Sequence, residues 1–250
     1  MNKKRLLVDI GNSRIKWCWA RPDGLSLPKM FDYHISSWDQ LFLNWLDEGL
    51  SNSTQVFYAS VCSDQFNQQF ENKLHACIQP LLTRIKTTDS FSGIINGYSQ
   101  PSKLGVDRWL AIIAAYKLFG KGALVIDAGT ALTLDFIDQY GVHQGGVIVP
   151  GLVMAKNTLL NSTSIQTDAS QITDPVLLAK NTEDAINTGV ELMLVALIKQ
   201  YKSALISTYP EFKCLITGGD APHLKRLLDA SWKLQDDLVL QGLGYVSQTD

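Results

Sequence analysis

Two short stretches carry residue types suited to handling a phosphate beside a metal ion. In Ala123 to Asp135, ALVIDAGTALTLD, an apolar run ends at Asp127. It gives way to Ala128-Gly129-Thr130, and the chain then alternates through Leu132, Leu134 and Phe136. A carboxylate at a strand end, beside a turn of bare N–H groups and a hydroxyl, suits a hydrated cation next to phosphate oxygens. The grammar recurs at Leu6-Leu7-Val8-Asp9-Ile10-Gly11-Asn12-Ser13, followed by Ile15, Trp17 and Trp19. Each copy reaches a Gly turn about as far on, Pro22-Asp23-Gly24 and Gln139-Tyr140-Gly141. One Asp-x-Gly turn is ordinary hairpin sequence. Two in like settings point to a duplicated fold with a phosphate loop in each half. Thr217-Gly218-Gly219-Asp220-Ala221 is a third turn of this kind, and Lys16 adds a point charge to the first. The GxxxxGK[ST] phosphate loop is absent.

Asp107 is the sharpest single candidate for chemistry. By itself it reads as an Asp at a helix start, favourable with the dipole. In a phosphate-transfer setting it would accept the proton from, or orient, a hydroxyl attacking a γ-phosphate. Arg108 beside it can bind a substrate carboxylate bidentately, and on spacing alone reads equally as a surface or salt-bridged arginine.

The elements that must position these residues follow from periodicity. Residues 4–20 read as strand, turn and strand, with Met30 to Ile35 as a third strand. Ser36-Ser37 caps a helix carrying Trp38, Leu41, Phe42, Trp45 and Leu46. Gln55 to Val61 is a β-rich run, Ser63 or Asp64 opens a helix to about Ile78, and Leu82 to Thr87 is a short strand. Ser90 to Lys103 is a polar loop, long enough to be functional or mobile. It feeds a helix opening at Leu104 to Arg108 and ended by Gly120 and Gly122, where the domain boundary is expected: 1–119 and 120–250. The second half restarts with the strand to Asp127, a hairpin to about Asp138 and a strand over Gly145 to Gly151. A helix over Leu152 to Leu160 follows, then a polar loop from Ser162 to Pro175. Asn181 or Thr182 caps a long helix whose apolar stripe (Ile186, Val190, Met193, Leu194, Leu197, Ile198) is wide enough for core and a subunit interface. A strand over Lys213 to Ile216, a helix over Pro222 to Ser231 and the terminal LVLQGLGYV close the chain.

Bulk properties exclude several classes. The 250 residues are 46% hydrophobic, ample for a buried core, and the net charge of −2 comes with no basic stripe for nucleic acid. Four dispersed cysteines and four dispersed histidines show neither CxxC nor zinc-ligand spacing. No apolar run approaches a membrane span, and Asp9 interrupts the only signal-like start. The expectation is a cytoplasmic protein that works without nucleic acid or membrane.

Taken together, the motifs resemble type III pantothenate kinase over essentially the whole chain and in the right order. They are D-I-G-N-S-x-x-K from Asp9, Asn96-Gly97-Tyr98, Leu104-Gly105-Val106-Asp107-Arg108-Trp109, Asp127-Ala128-Gly129-Thr130-Ala131, Gly145-Gly146 with Pro150-Gly151, Asn181-Thr182 and Thr217-Gly218-Gly219-Asp220-Ala221. Ser13 stands where the family usually has Thr, and the hydroxyl survives. The resemblance implies an α/β actin-like ATPase fold (acetate and sugar kinase/Hsp70/actin), two duplicated ribonuclease-H-like domains with ATP in the cleft between them. It implies ATP-dependent phosphorylation of pantothenate to 4'-phosphopantothenate, the first step of coenzyme A biosynthesis. By motif position Asp9, Ile10, Gly11, Asn12, Ser13, Arg14, Ile15, Lys16 and Thr130 would contact ATP with its Mg2+. Asp127 would sit at a K+ or NH4+ site. Tyr98, Gly105, Val106, Asp107, Arg108 and Thr182 would surround pantothenate, with Asp107 as proton acceptor. The family is homodimeric. A sugar or acetate kinase and a non-enzymatic nucleotide-binding protein are the competing readings. Tyr98 and Arg108 suit a small carboxylate better than a polyol, and an intact Asp107-Arg108 favours catalysis.

Overall fold

The computed structural model describes residues 4–32, 37–165, 167 and 175–248. Packing divides the chain into two units, Met1–Leu118 with Asp237–Asp250, and Phe119–Asp236.

The first unit is built on a sheet of β1 (Arg5–Ile10), β2 (Arg14–Arg21), β3 (Gly24–Leu25), β4 (Lys29–Asp32), β5 (Gln55–Ser60) and β6 (Leu81–Arg84), with α1 (Trp38–Asp47) and α2 (Asp64–Cys77) between its later strands. The strand order is β3-β2-β1-β5-β6, with β4 also paired to β2. β1 is antiparallel to β2 and parallel to β5. Leu6, Leu7 and Val8 are fully buried, which explains an unbroken apolar run where a half-exposed strand would alternate. Ser37 and Ser63 cap α1 and α2 through their hydroxyls. The expected third strand is β4; its expected residues 33–35, and the capping Ser36, lie outside the described residues. α1 and α2 bring Trp38, Phe42, Trp45 and Phe70 into one aromatic cluster on the sheet.

The polar loop after β6 has more structure than its composition predicts. β7 (Ser90–Phe91) and β8 (Ile94–Ile95) form a small hairpin through Ser92 and Gly93, at φ 49° and 86°. The buried Asn96 holds the next turn, donating to the carbonyls of Thr88 and Pro101 at 3.2 Å each and accepting from the Tyr98 N–H at 3.1 Å. The chain then enters α3 (Val106–Phe119), whose Trp109, Leu110, Ile112 and Ile113 are buried.

The second unit repeats the plan. β9 (Ala123–Ala128), β10 (Ala131–Ile137), β11 (His143–Pro150), β12 (Lys213–Thr217) and β13 (Trp232–Leu234) run in the order β11-β10-β9-β12-β13, with β9 antiparallel to β10 and parallel to β12. Its helices are α4 (Leu152–Ser162), α5 (Thr182–Thr208) and α6 (Ala221–Arg226). Asn181 caps α5, accepting from the Asp184 N–H at 2.8 Å, a bond worth about 1 kcal/mol. Part of the loop expected over 162–175 lies outside the described residues. The expected helix over 222–231 stops at Arg226 because the edge strand β13 begins at the buried Trp232. An edge strand of three residues leaves too short a pattern for periodicity to detect.

The last element, α7 (Leu238–Val246), belongs with the first unit, whereas the expected second domain ran to 250. The reason is the apolar face that buries Leu238, Leu240 and Leu243 against β1, β2 and β5. Gly242 permits the approach: a Cβ there would collide with the backbone of Leu110. Among the described residues, no helix is long and apolar enough to cross a membrane.

Candidate functional site

In the first unit the Asp9 turn is the hairpin joining β1 to β2. Asp9 pairs with Lys16 in the register, and the Gly11 N–H closes the turn on the Arg14 carbonyl at 3.0 Å. Ile10 and Ile15 point into the core, whereas Asn12 and Arg14 are exposed and Gly11 and Ser13 half-buried. From this run, backbone, the short polar side chains and Lys16 can meet a ligand. Lys16 is already oriented, its Nζ 2.9 Å from Asp237 Oδ1. Asp237 precedes α7 in the left-handed conformation (φ 50°, ψ 46°) and makes no side-chain cap bond to that helix. A non-glycine residue in this region carries strain of order 1 kcal/mol or more. Its carboxylate therefore forgoes the usual capping position and serves Lys16. Cys18, on the same strand, is no nucleophile: burial and then the Asp237 charge push its thiol up to about 12. All four cysteines are free.

A second group in this unit gathers at the start of α3. The Asp107 carboxylate accepts from the Arg108 N–H at 2.8 Å, fixing its orientation on the first turn. A Cβ on Gly105 would stand 2.5 Å from Asp107 Oδ1, so Gly105 leaves that carboxylate its space. The Arg108 side chain is buried, donates from Nη1 to the Tyr98 hydroxyl at 2.7 Å, and lies 5.5 Å from the Tyr98 ring centroid. A buried guanidinium held by a phenol and its ring is a rigid positive charge. The fold therefore brings Tyr98, Gly105, Val106, Asp107 and Arg108 together through the Asn96 brace and the start of α3.

In the second unit Asp127 and Thr130 flank the β9–β10 turn, Asp127 half-buried and Thr130 exposed, and the Gly129 N–H bonds the Ala131 carbonyl at 3.1 Å. Two further turns press on this backbone. The Gly151 N–H donates to the Thr130 carbonyl at 3.0 Å and the Asp220 N–H to the Ala128 carbonyl at 2.9 Å. A Cβ on Gly151 would collide with the Gly129 and Thr130 carbonyl oxygens. One on Gly218, at φ 100°, would collide with the Ala128 carbonyl and the Asp127 carboxylate. The Asp127–Thr130 and Thr217–Ala221 turns are thus one structure, with the Asp127 carboxylate and the Ala128 carbonyl both against Gly218. Thr182 is exposed at the first turn of α5, in the other unit from Tyr98 and Arg108. Sequence reasoning missed Asp237 as the partner of Lys16; an Asp ahead of an apolar run signals only a helix cap.

Comparison with known proteins gives the family and the fold. A family model described as type III pantothenate kinase matches residues 5–204. A type III pantothenate kinase from Nitrosococcus oceani is 35% identical, with 97% of this chain and 93% of that one covered. Among solved structures, a conserved putative Baf family transcriptional activator from Campylobacter jejuni superposes with a TM-score of 0.63 at 22% identity, covering 98% of each chain. The MreB5 protein of Spiroplasma citri bound to ADP gives a TM-score of 0.54 at 11% identity, over 99% of this chain and 97% of that one. The fold is that of the actin-like ATPases.

Proposed function

The chain belongs to the type III pantothenate kinase family, and on that premise we propose how its residues divide the work of phosphorylating pantothenate with ATP. The activity is the family's: transfer of the γ-phosphoryl group to the primary hydroxyl, giving 4'-phosphopantothenate for coenzyme A synthesis. The observation that carries our assignment is the Asp107 carboxylate, set at a helix start in space that Gly105 leaves open and adjoining a buried, Tyr98-anchored Arg108. Pantothenate bears a carboxylate at one end and the reacting hydroxyl at the other. Arg108 and Tyr98 bind the former, beside Gly105 and Val106, and Thr182 is assigned to pantothenate by its motif position alone. Asp107 then orients the hydroxyl. As the hydroxyl oxygen bonds to the γ-phosphorus, the bond from phosphorus to the bridging oxygen breaks, ADP leaves with the electron pair, and the hydroxyl proton passes to Asp107.

The Asp9–Lys16 turn and Thr130 hold ATP, with Lys16 meeting phosphate as a point charge. The donor set fits hard cations. Asp127 and the Ala128 carbonyl both lie against Gly218, and among the described residues no cluster of three or more His, Cys, Asp or Glu forms a cage. One carboxylate, carbonyls and substrate phosphate suit Mg2+ at the nucleotide and K+ or NH4+ at Asp127. Such cations would neutralise phosphate charge. The working unit is a cytoplasmic homodimer. It is supported by the packed helices α4 and α5, which expose Val153, Met154, Leu192 and Met193 at 56%, 41%, 42% and 52%.

The test is ADP release with ATP, magnesium and pantothenate, in potassium and then in sodium buffer, beside Asp107→Asn. We expect pantothenate-dependent turnover, faster in potassium, falling at least about 100-fold in the variant. A variant turning over at the parental rate would remove Asp107 from the proton transfer.

A further inference from the structure

Away from the catalytic groups, the second unit buries a charge cluster that the phosphate-transfer reaction does not use directly. Glu191, on α5, is wholly buried, and among the described residues neither of its oxygens accepts a well-directed hydrogen bond. An isolated carboxylate in such a place is strongly disfavoured unless opposite charge or a proton donor stands close. Two neighbouring helices supply them. From α6, His223 Nε2 lies 3.0 Å from Glu191 Oε2. Its Nδ1 is 2.7 Å from Arg226 Nη2, a pure donor, so Nδ1 accepts there and the ring proton is left to Nε2, close to Glu191 but not aimed along a hydrogen bond. From α4, which packs directly on α5, Lys156 is buried; burial holds its ammonium below the ordinary lysine range, and the charges of Glu191 and then Asp220 oppose that. Asn187, one turn earlier on α5, is buried beside them.

The position of these helices gives the cluster a consequence. α4 starts immediately after Gly151, whose backbone rests on Gly129 and Thr130. α6 starts immediately after Asp220, whose N–H bonds Ala128, behind Gly218, which rests on Ala128 and Asp127. The two helix starts are the walls of the Asp127–Thr130 turn. We propose that Glu191 is a positioning residue for this turn: its charge draws in α4 through Lys156 and α6 through His223, and so sets the backbone that meets nucleotide. This rests on the reading that the turn binds ATP.

The test compares the parent with Glu191→Gln and with the double variant Glu191→Leu/Lys156→Met. Each is assayed for the Kd of a non-hydrolysable ATP analogue with magnesium, KM for ATP and for pantothenate, and Tm. Glu191→Gln should weaken analogue binding and raise the ATP KM about tenfold, leaving the pantothenate KM within about twofold. The double variant leaves no unpaired buried charge, so it should regain Tm without regaining analogue affinity. It decides the matter alone if Glu191→Gln does not fold. Parental analogue affinity in either variant, whatever the Tm, overturns the proposal and leaves Glu191 a purely structural charge. A parent that binds the analogue but ignores pantothenate sinks the kinase reading, and the Kd comparison still decides this one. A parent that binds no nucleotide overturns both.

Discussion

The two Asp-x-Gly turns occupy equivalent places in sheets of matching order, β2-β1-β5-β6 and β10-β9-β12-β13, yet different forces hold them. The Asp9 turn has an open backbone: a Cβ on Gly11 would come only to 3.4 Å of the Arg14 carbonyl, and the fixed feature is a charged side chain, Lys16 on Asp237. The Asp127 turn is pinned by backbone, with Gly151 and Gly218 pressed on its carbonyls. Duplication preserved strand order, while the halves diverged in the hairpin register, Asp9 facing Lys16 and Asp127 facing Thr133, and in what the turn presents. One offers a held cation, suited to phosphate. The other offers a carboxylate beside a backbone turn, the group that our proposal gives to a cation.

Substitution at the glycines gives the largest expected contrast. Gly218→Ala adds a backbone collision to a positive φ and should cost about 3 kcal/mol of stability, with Gly151→Ala close behind. Gly11→Ala should cost less than about 1 kcal/mol, because its neighbour need yield little. Urea unfolding of the three variants measures this directly. Equal losses at Gly11 and Gly151 would erase the distinction between the turns.

The charged side of the comparison comes next. Lys16→Met should raise the ATP KM about 30-fold, the loss of a charge-assisted phosphate bond. Asp237→Asn leaves the ammonium present but less well aimed, and should raise it only about threefold. Steady-state kinetics at fixed saturating pantothenate separates the two. A Lys16→Met enzyme with the parental ATP KM would show that the first turn works through backbone alone, like the second.

This pattern also explains what could be read from sequence. Asp127, Asp9 and the strands behind them were legible because apolar runs ending in Asp-x-Gly encode strand and turn locally. Asp107 and Arg108 were legible as a helix start, and Tyr98 by motif. The pairing of Tyr98 with Arg108 depends on the Asn96 brace, whose partners Thr88 and Pro101 lie on either side of it in the chain. The Lys16–Asp237 bond joins residues near opposite ends of the sequence, and the return of α7 to the first unit is equally nonlocal. Neither leaves a periodic trace. Gly151 and Gly218 signalled turns, but their close approach to carbonyls is a fact of tertiary packing.

The smallest effect contrasts two carboxylates remote from the turns. In the first unit Glu48 accepts from Trp17 and Trp19 Nε1 at 3.1 and 2.8 Å and from Lys29 at 3.0 Å. Burial opposes its ionisation, but the bonds from Trp19, Trp17 and Lys29 outweigh it and hold the carboxyl below its ordinary value. In the second unit Asp229 is held below the carboxylate range by Lys202 and Ser231, but its side chain is 51% exposed. For both groups the folded value lies below the unfolded one. Each contribution is therefore complete above the unfolded carboxylate range of about 4 and is lost as pH falls through the folded value. Glu48→Gln should cost about 1 kcal/mol at pH 7, the gap from the parent shrinking as pH falls below about 4. Asp229→Asn should cost no more than about 0.5 kcal/mol, since solvent screens an exposed pair, and added salt should reduce even that. Urea titrations at pH 7 and pH 3 measure both. A Glu48→Gln gap equally large at both values would mean that the indole N–H bonds stabilise through packing geometry rather than through the carboxylate charge.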